Sequence, residues 1–222
     1  MVRHFHVPVF VRILFLAAPL ALLSGCINLI EFIGKDANGN THVSMAITVS
    51  KSIVALASQS GESSSALFGS MDATMNDLKK SLPPGIGVKV EKIDDSQLYG
   101  YNINFDYPES TLKDVKPSDT SVVLFPIHDG SNIVIHLNTS PEKTTSQESQ
   151  DTSDAAALFA SSQFQLLVSK SYTKQITGAV FTDAKNSVQM TRLDFGEFYL
   201  LEMPIMFIMQ EQGDAKITIH TS

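Results

Sequence analysis

Tyr99-Gly100-Tyr101-Asn102-Ile103-Asn104-Phe105-Asp106-Tyr107 is the stretch whose reading decides the fold. Large apolar or aromatic residues stand at every second position, with glycine, asparagine or aspartate between them. Side chains in a β-strand alternate between two faces, so this run predicts a half-buried strand with an aromatic face. Just upstream, Ile86, Val88 and Val90 alternate with Gly87, Lys89 and Glu91, and a turn at Asp94-Asp95 joins the two strands. A paired sheet is the minimum these residues require.

Working toward the N-terminus, residues 27–35 are apolar and β-prone, and Val43, Met45, Ile47 and Val49 alternate with smaller or polar residues. Between them lies Asp36-Ala37-Asn38-Gly39-Asn40, where Asn38-Gly39 is expected to supply two positive-φ positions of a tight hairpin turn. Ser50 is a helix cap for Ile53, Val54, Leu56 and Ala57. After a Ser/Gly-rich break, Leu67, Met71, Met75, Leu78 and Leu82 recur at spacings of three and four, which draws one helical apolar stripe. Lys79 and Lys80 suit its last turn, and Pro83-Pro84-Gly85 ends it.

Toward the C-terminus, strands are expected at 121–127 and 132–137, joined by His128-Asp129-Gly130-Ser131. Residues 138–154 carry almost nothing apolar and read as a flexible polar linker. A short helix over 155–161, capped by Asp154, should precede strands near 164–171, 175–182, 187–193, 197–202, 205–209 and 215–220. Pro204 marks a bend inside the apolar segment 198–209, because proline cannot donate to a ladder. No internal repeat is evident. The fold expected is α+β, a curved and mostly antiparallel sheet with two to three short helices packed on one side.

The N-terminus says where the protein is sent. Arg3 and Arg12 precede an acid-free apolar run over 13–23, which is the plan of a secretory signal. That run is shorter than the roughly 20 residues of a membrane span. It ends in Leu23-Ser24-Gly25-Cys26, which closely resembles the lipobox of bacterial lipoproteins. The resemblance implies diacylglycerol on the Cys26 thiol, cleavage before Cys26, and acylation of the new amine, with palmitate the expected fatty acid. Several acyl chains anchor stably where one does not. Cys26 is the sole cysteine, so the exported domain has no disulfide to hold it and must rely on its core. Residue 27 is isoleucine, not the aspartate associated with inner-membrane retention in enterobacteria. A lipid-anchored protein of the cell membrane or outer membrane, facing the extracytoplasmic side, is the expectation.

Cleavage would leave 197 residues with a net charge of −9. An acidic surface without a Lys/Arg cluster opposes nucleic-acid binding. The order of lipobox, strand, Asn38-Gly39 turn, strand, the helix over 50–57, second helix and Leu82-Pro83-Pro84-Gly85, followed by paired strands to Tyr107, resembles the LppM-type bacterial lipoproteins over residues 26–116. That resemblance implies an α+β envelope domain likened to lipid-binding folds, and it carries no catalytic residues. Relatives often end in a transmembrane helix, and none is expected within these residues. The organisation expected is a signal peptide over 1–25, an LppM-like domain over 26–137, the linker over 138–154, and a β-rich part over 155–222. Whether that last part continues the same fold stays open.

Chemistry has few handholds. His42, His128, His136 and His220 show no helical ligand spacing, so no metal and no cofactor is expected. Asp36-x-Asn38-x-Asn40 starts like a calcium loop but has glycine at the wrong place and Ile47 where a bidentate acid belongs. Ser-x-x-Lys recurs at 110–113, 140–143 and 171–174 without its companion motifs, and Gly-x-Ser-x-Gly is missing. Asp94-Asp95 and the Asp151/Asp154 pair fall in turns and linker, where exposed acids are ordinary. The reading is therefore a non-catalytic envelope lipoprotein. Either it binds a lipid or other apolar ligand, with Met71, Met75, Tyr99, Tyr101 and Phe105 as candidate pocket lining, or it is a tethered scaffold for another envelope protein.

Overall fold

The structure, a computed structural model, describes residues 27–58, 69, 71–76, 78, 82, 86–112, 125–137, 162–209 and 215–222. The lipobox residues Leu23, Ser24, Gly25 and Cys26, the polar segment 138–154 and the helix expected over 155–161 lie outside these.

Among the described residues, twelve strands form two sheets. In chain order they are β1 (Ile27–Lys35), β2 (Thr41–Ser50), β3 (Gly87–Asp94), β4 (Leu98–Tyr107), β5 (Pro126–Asp129) and β6 (Asn132–Leu137), then β7 (Gln163–Ser169), β8 (Ile176–Thr182), β9 (Ser187–Gln189), β10 (Thr191–Asp194), β11 (Phe198–Pro204) and β12 (Ala215–Thr221). The larger sheet runs β10-β11-β7-β1-β2-β4-β3, and the smaller β5-β6-β12-β8-β9. Every pairing is antiparallel except β1 with β7.

The α+β expectation is overturned: the protein is mostly β. Helical bounds are complete only for Lys51–Ser58 and the turn Met206–Met209, with further helical residues at 69, 71–76 and 78. The period-2 pattern persists through far more of the chain than the two helical stripes, so sheet-on-sheet burial supplies the core. One buried cluster joins both sheets, with Ile33, Val43, Phe105, Leu166 and Leu201 from the larger and Ile133, Ile135, Phe181, Ile217 and Ile219 from the smaller. Phe125 seals them together, its ring edge-on to Phe105 at 5.5 Å and to Tyr107 at 5.4 Å.

Local corrections have local causes. The first hairpin closes through Gly39 N–H to the Asp36 carbonyl at 3.1 Å, with the Asp36 carboxylate accepting from Asn38 and Asn40. Gly39 alone takes positive φ (82°), so Asn38 does not share that role. The strand expected over 205–209 is a helical turn, because Pro204 ends the ladder and Ile208 N–H bonds back to the Ile205 carbonyl. Segment 187–193 divides at Met190, which is buried; β9 joins the smaller sheet and β10 the larger. His128 and Asp129 belong to β5, leaving Gly130 (φ 59°) and Ser131 as the turn.

Gly100 lets β2 and β4 approach. A Cβ there would meet the Ile47 carbonyl oxygen at 2.0 Å, so only glycine fits.

Candidate functional site

The two ends of the β-sandwich differ. At one end lie the start of β1 at Ile27, the end of β2 at Ser50 and the start of β4 at Leu98. At the other lie Lys35, Thr41 and Tyr107, aligned by the Lys35↔Thr41 and Thr41↔Tyr107 pairs. The chemistry gathers at this second end.

There a 3₁₀ turn, Glu109–Leu112, follows β4 and sets the Glu109 carboxylate between the Lys35 ammonium and the His128 ring. Lys35 Nζ is 3.3 Å and His128 Nε2 is 3.8 Å from Glu109 Oε1. The His128 ring stacks on Tyr172 at 5.2 Å, and Lys35 Nζ stands 5.9 Å from the Tyr172 ring centroid. Tyr107, Glu109, Leu112, Pro126, Ile127 and His128 line a cleft of about 130 Å³. Tyr107 is 1% exposed, and among the described residues its hydroxyl has no hydrogen-bond partner. Burial, above all, pushes the phenols of Tyr107 and Tyr172 well above the ordinary tyrosine value, so both stay protonated and neutral. The cleft is an apolar notch with the buried Tyr107 side chain beneath it and an ion-paired rim. It can hold a side chain, and it presents no activated nucleophile.

At the same end of the larger sheet, but several strands away, the hairpin joining β10 to β11 turns at Gly196 (φ 83°) and exposes Leu193 (42%) and Phe195 (54%). Phe195 stacks on Phe198 at 5.4 Å. Phe198 pairs with Ser169, one step beyond the Val168↔Ile33 pair, which puts this tip at the Lys35 end too.

The residues expected to line a pocket lie elsewhere. Met75, Tyr99, Tyr101 and Phe105 are buried and Met71 is partly exposed. Tyr99 and Tyr101 meet edge to face at 6.4 Å and both donate to the Asp72 carboxylate, Tyr99 at 2.5 Å. Lys92 Nζ reaches Asp72 at 3.3 Å and covers the Tyr99 ring at 4.7 Å. These groups fasten the helical residues to β4, while Phe105 packs on Phe125. None of the five lines the cleft. Among the described residues no three His, Cys, Asp or Glu side chains converge as a metal site.

The chain matches no protein family and no curated protein. Among solved structures it is similar to the NMR structure of the folded domain of LppM from Mycobacterium tuberculosis. The identity is 10% and the TM-score 0.34, over 89% of this chain and 91% of that one. The likeness is distant, and the site is read from this chain's own residues.

Sequence reasoning missed the cleft because Lys35, Glu109, His128 and Tyr172 share no spacing; only the closed sandwich brings them together. Tyr107 was legible as an inward strand residue, and nothing in its neighbourhood marked it as a cleft floor.

Proposed function

We propose that the chain is a lipid-anchored lipoprotein of a bacterial envelope, held on the extracytoplasmic side through acylated Cys26. We propose further that it is a non-catalytic docking module for another envelope protein rather than a lipid carrier. The signal-like run and Leu23-Ser24-Gly25-Cys26 support the anchor. No helix among the described residues is long and apolar enough to cross a membrane.

One observation favours docking over carriage. Of the residues expected to line an apolar pocket, Met75, Tyr99, Tyr101 and Phe105 are buried in the core, and the cleft holds about 130 Å³. Small-molecule sites run to roughly 300–1,000 Å³. A notch of this size fits one anchoring side chain of a protein partner, the kind of contact that dominates interface energy. The exposed Leu193 and Phe195 add further apolar surface at the same end of the larger sheet.

Native mass spectrometry of the chain lacking residues 1–26, purified from its own bacterium, is the test. The expected result is the bare polypeptide mass, unchanged after incubation with envelope lipids. A mass excess lost on denaturation and identifiable as lipid would overturn docking in favour of carriage. For the anchor, Cys26→Ser should move the protein from the membrane fraction to the soluble one; retention in membranes would sink the lipidation reading.

A further inference from the structure

We infer that the Ile27 end of the sandwich rests on the lipid surface, with the Met206–Met209 turn as its apolar contact, so that the cleft and the Phe195 tip face away from the membrane. The inference rests on acylation of Cys26 and adds an orientation that a lipid anchor alone does not supply.

Chain length sets the first constraint. Cys26 and Ile27 are joined by one peptide bond, which places their Cα atoms about 3.8 Å apart. Ile27 is already inside the sheet, where it pairs with Val49 and its N–H donates to Ser162 Oγ at 3.2 Å. A tethered domain usually tumbles on a linker; here the lipid-bearing residue adjoins a central strand of the larger sheet. The end of the sandwich that holds Ile27 therefore cannot leave the headgroup region. β1 then runs nine residues to Lys35, which at about 3.3 Å per residue carries the chain roughly 26 Å along the strand axis.

The same end carries the matching chemistry. Ser162 also accepts the Ile205 N–H at 3.0 Å through its carbonyl, which ties the Met206–Met209 turn next to Ile27. Phe207 packs inward toward Phe181 at 6.4 Å, while Met206, Phe207 and Ile208 all keep part of their surface exposed. Leu29 and Ile27 are partly exposed apolar residues beside them. Among the described residues the nearby charges include no free cation: Lys51 Nζ is 2.5 Å from Asp94 Oδ1 and donates to the Asp95 carbonyl, and the Asp95 carboxylate leaves that corner net acidic. The contact is therefore apolar, of the kind that settles about 5–10 Å into the headgroup–acyl boundary, and not a basic patch read by anionic lipid.

The chain has no tryptophan, so single-tryptophan variants of the full acylated protein report position without background. Met206→Trp, Phe207→Trp and Phe195→Trp would each be reconstituted into phosphatidylcholine vesicles brominated near the top of the acyl chains. Unbrominated vesicles are the reference, and circular dichroism checks the fold. Fluorescence at 206 and 207 should fall about twofold while that at 195 stays unchanged, as expected for side chains at the boundary. Using two variants at the turn guards against one that misfolds. Equal quenching at all three sites, or quenching at 195 alone, would overturn the orientation. Flotation with the vesicles separates the two readings. Protein that floats but is unquenched at 206 and 207 defeats the orientation and leaves the anchor standing. Protein that floats no better than Cys26→Ser defeats both.

Discussion

At the scale of single residues, Glu31 is the outlier of this core. Its register row reads Ile103–Met45–Glu31–Leu166–Leu201, so its strand neighbours at mid-sheet are apolar, and the buried Tyr107 phenol lies close enough to feel its charge. It is 0% exposed, and among the described residues neither oxygen has a hydrogen-bond partner. Burial raises its pKa well above the ordinary glutamate value, so it is held protonated. That direction fixes the sign of the pH effect. Below the ordinary value near 4.5 both folded and unfolded chains are protonated and nothing is lost. Above it the unfolded chain ionises while the folded one does not, so stability declines as pH rises. Glu31→Met, which matches its row in size and polarity, should stabilise the protein by about 1–3 kcal/mol at neutral pH, the usual cost of an unpartnered buried polar group. The gain should shrink toward pH 4. Urea unfolding at several pH values reads this directly; a loss of stability, or a gain that ignores pH, would refute it. The sequence showed the position as one of alternation, Leu29-x-Glu31-x-Ile33, and the mismatch was visible there. That the acid stays inside was not, because exposure depends on the second sheet.

At the scale of elements, the helical residues near 71–78 are held by one carboxylate. Asp72 accepts from Tyr101, Tyr99 and Lys92, in that order of influence, and its pKa is lowered accordingly. A lowered carboxylate contributes stability above its unfolded value near 3.8 and loses it as pH falls below. Asp72→Ala should therefore speed amide exchange across residues 71–78 while β1 and β2 stay protected, and should lessen acid sensitivity. Unchanged exchange in that segment would show that packing of Met75 and Leu78 suffices. The helical stripe Met71, Met75, Leu78 was legible in its spacing, and so was each strand with clear alternation. What misled were short apolar runs. Over 205–209 length and composition suit strand or turn equally, and Pro204 decided the outcome by ending the ladder. At Met190 the chain changes sheets within a single expected strand of alternating polar and apolar residues, which no local pattern announces.

At the scale of the whole molecule, the two halves of the chain are interleaved. β7 lies against β1 in the larger sheet, and β12 lies between β6 and β8 in the smaller. Residues 26–137 alone would leave β1 and β6 as open apolar edges with half a core beneath them. Expressed alone, that fragment should show no cooperative unfolding transition by circular dichroism and should aggregate. A sharp transition would mean that the first six strands form a self-sufficient fold. The parallel β1–β7 pair also explains how a distant segment comes to brace the cleft's rim. Tyr172 follows β7 directly, so docking β7 on β1 carries it to Lys35 and His128.

The sequence by itself determined the strand alternation, the first hairpin and the signal-like N-terminus ending at Cys26, because each is written in neighbouring residues. It overstated the helices, since a local stripe says that a helix forms and not how much of the core it covers. Only the tertiary structure decided that two sheets face each other, that Glu31 lies between them and that Tyr107, Glu109 and His128 share a cleft with Tyr172 stacked behind His128. Those outcomes depend on burial against partners far away in the chain, and side-chain period carries no information about which distant face will supply that burial.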